Sequence, residues 1–191
     1  MTIRTLVLLC ATAATLSACG GGGGDLIETH TTTVPGTPAP VSQTLAPGTY
    51  KLTFSAISTA RLTAPISGIE VAVKLPVGFS VNTVNGGGTG QIVSTSVTPG
   101  SAILATSLAF GSYSASTRTV YLSMATPQET YRGGQFMNLL FTVAAGTSVT
   151  PNDIVVLNST YPRYKVVGLD TVTHNTVTMT GSVKTMLGVE H

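Results

Sequence analysis

The sequence predicts an all-β fold, an antiparallel two-sheet β-sandwich following a disordered N-terminal tether, and three observations carry that prediction. Side-chain character alternates with period two over long stretches. Turn chemistry recurs at fairly regular intervals between them. No amphipathic helical pattern stands out in the body of the chain. The first strand signal is Tyr50, Leu52 and Phe54 alternating with Lys51, Thr53 and Ser55. The second is Ile69, Val71, Val73 and Leu75 alternating with Glu70, Ala72 and Lys74. Further strands are expected at 79–84, 91–97, 102–110, 118–125, 135–143, 154–157, 164–169 and 177–186. Their separators are Pro76-Val77-Gly78, Asn85-Gly86-Gly87-Gly88, Pro99-Gly100, Arg132-Gly133-Gly134 and Pro151-Asn152-Asp153. Short strands at this spacing, without βαβ alternation, argue for a sandwich with enough core to stand without staples.

Composition narrows the function. The chain has 191 residues, 8% of them charged, with a formal net charge of +2, two Cys and no Trp. Thr and Ser make up a quarter of it, which suits pleated strands because β-branched Thr packs well there. The strand positions Thr53, Ser94, Ser96, Thr119 and Ser123 are expected to form a neutral, solvent-facing hydroxyl face. Scattered basic residues argue against nucleic acid, which selects clustered Lys and Arg.

The N-terminus reads as an address. Arg4 precedes an apolar run from Leu6 to Leu16, too short to span a membrane. The run closes on Leu16-Ser17-Ala18-Cys19, which resembles the lipobox of bacterial lipoproteins. That resemblance implies a signal peptide over 1–18 and a diacylglycerol and N-acyl lipid on Cys19, with no other cofactor. Gly20 after the cysteine, by likeness to sorted lipoproteins, implies the outer membrane of the cell envelope. Cys10 leaves with the signal and Cys19 is consumed by lipid, so the exported domain keeps no thiol for a disulfide. Residues 19–47, rich in Gly, Thr and Pro, read as a tether with a coil dimension of roughly 30 Å. Residues 48–191 form the domain. Asp25, Glu28 and His30 read as a solvated tail rather than a metal cluster.

Two stretches carry a second resemblance. Ile66-Ser67-Gly68-Ile69-Glu70-Val71-Ala72-Val73-Lys74-Leu75-Pro76 with Gly78, and Gly134-Gln135-Phe136-Met137-Asn138-Leu139-Leu140-Phe141-Thr142-Val143, resemble cohesin-like domains in the same order. The resemblance implies the jelly-roll sandwich of cohesins and related carbohydrate-binding modules, which bind proteins or polysaccharides without catalysis. The chain departs from that pattern in having no dockerin-like repeat and no Trp-bearing aromatic row.

Enzyme chemistry finds little support. There is no G-x-S-x-G elbow, and His174 is the one histidine of the domain besides the terminal His191. It lies in a polar stretch expected to be an exposed hairpin. Glu70, Glu129, Asp153 and Asp170 are scattered, which suits solvation or turn capping better than paired acid and base. No His or Cys spacing suits zinc; Asp153 and Asp170 could join loop carbonyls around calcium, although no D-x-D-x-D loop is present. Gly86 to Gly90 reads as a hairpin rather than a phosphate cradle.

Recognition residues remain. Tyr161, Arg163 and Tyr164 in a proline-bent segment, and Tyr131 with Arg132 at a glycine turn, are the candidate binding residues, since Tyr and Arg dominate hot spots and stack on sugars. The expected role is a non-enzymatic binding or scaffolding lipoprotein with a protein partner. A carbohydrate-binding module and a self-associating subunit of a surface assembly are the alternatives.

Overall fold

The computed structural model describes residues 43–160 and 163–191. Among the described residues, eleven strands, one helix and two 3-10 turns build two antiparallel sheets facing each other across one apolar core.

The first sheet is built on β1 (Gly48–Ser58), whose neighbours include the last strand of the chain. The strands that follow β1 are β2 (Ile66–Lys74), β3 (Phe79–Ser80), β4 (Gly90–Gln91), β5 (Val97–Pro99), β6 (Leu108–Ser114), β7 (Thr119–Ala125) and β8 (Gly134–Val143). Helix α1 (Pro151–Leu157) leads to β9 (Arg163–Leu169), β10 (Thr176–Thr178) and β11 (Val183–Glu190). The five-stranded sheet runs β11-β1-β8-β3, with β5 also paired to β8. The six-stranded sheet runs β10-β9-β2-β7-β6-β4.

The period-two reading of β1 and β2 places the core. Leu52, Phe54 and Ala56 of β1 and Ile69, Val71 and Val73 of β2 are buried and face each other across the sandwich. In β8 the alternation breaks, because Phe136 and Met137 are both buried. The register slips between Phe54 and Ser55, so the bulge at Phe136 turns one extra side chain inward. Tyr50, Phe141 and Phe79 stack at one end, with ring centroids 5.9 and 5.1 Å apart. The turn after β2 needs Gly78, whose φ of 85° lies in the left-handed region.

Several expectations are corrected. Residues 154–157 are helical, not a strand. Thr150 accepts from the Asp153 amide while the Asp153 carboxylate accepts from the Thr150 amide, and Pro151 occupies the first turn. Ile154 points into the core and Val155, Val156 and Leu157 stay exposed. The strand expected over 79–84 shortens to β3, with only a bridge from Thr83 to Ile92 beyond it. The one expected over 91–97 divides into β4, a 3-10 turn over Ser94–Ser96, and β5. The expected 102–110 strand begins only at Leu108, and 177–186 divides into β10, a 3-10 turn and β11. Thr53, Ser96 and Thr119 are buried rather than solvent-facing, so the expected hydroxyl face does not form as drawn. Thr119 donates to the Thr117 carbonyl, which satisfies its hydroxyl inside. Leu45 is buried and its amide donates to the Val149 carbonyl, so the folded unit reaches back at least that far.

Candidate functional site

The outer face of the six-stranded sheet gathers the exposed aromatic and charged side chains. Two of the three inward positions of β6 are small, Ala109 and Gly111, and the third, Tyr113, is buried in the core. A Cβ on Gly111 would lie 2.5 Å from both the Tyr121 carbonyl and a Leu122 methyl. Leu108 and Phe110, on the opposite parity, turn outward and are 64% and 53% exposed. Tyr121 on the neighbouring β7 is 51% exposed.

Register fixes what stands beside them. Phe110 opposes Ser123, Ser123 opposes Glu70, and Glu70 opposes Lys165, in one line across four strands. The next line runs Ser112, Tyr121, Ala72 and Arg163. A third runs Leu108, Ala125, Gly68 and Val167. Side chains directly opposite on one face stand about 5 Å apart at Cβ. Small residues floor the middle of the face, aromatic rings rise on one side, and cations rise on the other. Two shallow hollows result. One, of about 340 Å³, lies between Tyr121 and the Arg163 and Lys165 pair over Ala72. The other, of about 250 Å³, lies between Phe110 and Lys165 over Gly68. Lys74, Arg163 and Lys165 outnumber Glu70 here, so the face carries a positive excess.

The predicted site residues are dispersed. Arg163 belongs to this face and is exposed. Tyr164 follows it on a strand, so it turns to the other side, half-buried against the core. Tyr131 is corrected from surface to core: it is 2% exposed, and its hydroxyl donates to the Gly134 carbonyl at 3.0 Å. Burial pushes its phenol well above the ordinary tyrosine range. Arg132 is exposed, but it lies at the opposite end of the sandwich from Arg163. The Tyr131 carbonyl caps Ile66 at the start of β2, whereas Arg163 registers with Ala72 near its end. Tyr161 and Cys19 lie outside the described residues, as do Asp25, Glu28 and His30.

Phe110 and Tyr121 were missed by sequence reasoning. The available signal was inverted alternation, Leu108 and Phe110 large against Ala109 and Gly111 small, followed by the alternation of Tyr121 against Val120 and Leu122.

Two of the carboxylates, Asp153 and Asp170, hold backbone turns. Asp153 lies below its ordinary value because the Thr150 amide donates to it, and Asp170 does so because the Thr173 and Val172 amides donate to it. His174 is exposed in the turn between β9 and β10, with a φ of 56°. Among the described residues no group of three His, Cys, Asp or Glu could hold a metal ion. No helix there is long and apolar enough to cross a membrane. The chain matches no protein-family model, no curated protein and no solved structure.

Proposed function

We propose that the chain is a non-catalytic binding module of the bacterial cell envelope, held to the outer membrane by lipid on Cys19, that recognises a protein partner. The observation that carries this reading is the outer face of the six-stranded sheet, where Phe110 and Tyr121 stand half-exposed across β2 from Arg163 and Lys165. A sheet fixes the backbone under these anchors, which leaves only their side chains to be ordered on binding, and Tyr with Arg is the composition of an interface centre. The positive excess favours an acidic partner surface, which would raise the association rate more than the final affinity. Supporting the cohesin-like reading, the two resembling stretches fall on β2 and β8, the central strands of the two sheets.

Carbohydrate binding is the second reading. Two exposed rings on adjacent strands, with Ser112 and Ser123 between them, suit stacking on sugars and hydroxyl exchange. The test exposes the full chain, in parallel, to detergent-solubilised envelope proteins and to insoluble envelope polysaccharide. Wild-type chain is compared with Phe110→Ala/Tyr121→Ala. Stoichiometric capture of one protein, lost in the double variant, supports the first reading. Retention on polysaccharide, lost in the same variant, supports the second. Capture that survives the double variant removes this face from both.

A further inference from the structure

We infer that β11 pairs edge to edge with β11 of a second copy about a twofold axis through Leu187, fusing two five-stranded sheets into one of ten. This goes beyond the recognition face, which lies on the other sheet.

The edges of the molecule are unequal. The strands β3, β4, β5 and β10 are two or three residues long, and β5 ends in Pro99. Short edges of this kind resist pairing with another chain. By contrast β11 spans eight residues without proline and, among the described residues, is paired on one side only, to β1.

The phase of its ladder can be read. The Thr59 amide donates to the Ser182 carbonyl, and the register continues Ile57 with Lys184, Ser55 with Met186 and Lys51 with Glu190. Even-numbered residues of β11 therefore direct their backbone groups to β1, and Val183, Thr185, Leu187 and Val189 direct theirs to the open edge. An antiparallel twofold pairing centred on Leu187 uses those outward groups. It sets Leu187 against Leu187, Thr185 against Val189 and Met186 against Gly188.

The same register sets Lys184 of each copy against Glu190 of the other. Both lie on the outer face of the sheet, and Glu190 already pairs with Lys51. An edge lysine, which on its own repels a neighbouring strand, thus meets a carboxylate twice. Met186, 47% exposed, lies over the glycine of the second copy. Helix α1 touches β11, and beside that contact lies a cleft of about 740 Å³ bordered by residues 183–187 and by Val155 and Val156 of α1, which are 45% and 59% exposed. The pairing sets residues 187–191 of the second copy against residues 183–187, the stretch of β11 that borders this cleft.

The test is sedimentation equilibrium of the full chain in density-matched detergent, from micromolar to several hundred micromolar. The expected mass is two chains. Lys184→Glu, at an exposed position, raises the dissociation constant at least tenfold, because it sets like charges opposite one another twice. Leu187→Cys gives an oxidised two-chain species that Val183→Cys does not, since only position 187 meets itself. Monomer throughout overturns the inference, as does a dimer indifferent to Lys184→Glu or one cross-linked equally at 183 and 187. Phe110→Ala/Tyr121→Ala leaves the mass unchanged, which separates this outcome from failure of the recognition face.

Discussion

Replacing Asn158 by alanine removes a peg that ties the helix to the six-stranded sheet. The side chain is 3% exposed at the C-terminus of α1. Its Oδ1 accepts from the Lys74 amide at 2.8 Å, and its Nδ2 donates to the Lys74 carbonyl and to the Ile154 carbonyl, both at 2.9 Å. It thereby acts as one extra rung at the end of β2. Each bond contributes about 1 kcal/mol net, so three give about 3 kcal/mol, with backbone groups left underpartnered in a half-buried place adding to the loss. For a domain of this size that lowers the melting temperature by about 6–12 °C. Asn158→Asp retains the acceptor but presents a carboxylate to two carbonyls, so it is at least as damaging at neutral pH. The assay is urea unfolding with a thermal scan, read by circular dichroism. A loss under about 0.5 kcal/mol for Asn158→Ala would refute the argument that this residue joins helix and sheet.

Further outcomes follow from the same geometry. Gly168→Ala places a methyl 2.6 Å from the Pro65 carbonyl and 2.5 Å from the Met179 methyl, and costs about 2 kcal/mol in urea unfolding. Tyr131→Phe removes a buried donor from the Gly134 carbonyl and costs about 1 kcal/mol, without altering capture of any partner. Asp153 and Asp170 both lie below the ordinary 3.8, held there by backbone amides. A carboxylate lowered on folding stabilises above its unfolded value, and the gain is lost as pH falls through the folded one. The melting temperature therefore stays level from neutral pH downward and falls below about pH 4, less steeply in Asp153→Asn/Asp170→Asn.

Much of the fold was legible because β1 and β2 alternate over most of their length, β8 does so outside its bulge, and their turns carry Pro and Gly. Helix α1 was not, since Ile154 to Leu157 is too short an apolar run for its period to distinguish helix from strand. Its capping box, Thr150-Pro151-Asn152-Asp153, was nevertheless visible as the sequence of a helix start. The recognition face was harder to see. Arg163 could be singled out by type, but its neighbours come from β2 and β7, more than forty residues upstream. Only register brings Arg163 beside Ala72 and Tyr121. Tyr131 misled because glycines on its C-terminal side suggest an exposed turn, whereas its ring fills the core and its hydroxyl closes that turn from within. Thr53 and Thr119 misled for a related reason, since alternation assigns a face but not what packs over it.

The central claim is that Phe110 and Tyr121 present a recognition surface, and titration of the captured partner against variant chains tests it most directly. Phe110→Ala/Tyr121→Ala is expected to weaken binding at least tenfold while the unfolding free energy stays within about 0.5 kcal/mol of wild type, as exposed side chains should. Arg132→Ala, at the far end of the sandwich, leaves binding unchanged. Undiminished affinity in the double variant, or equal loss in Arg132→Ala, would contradict it.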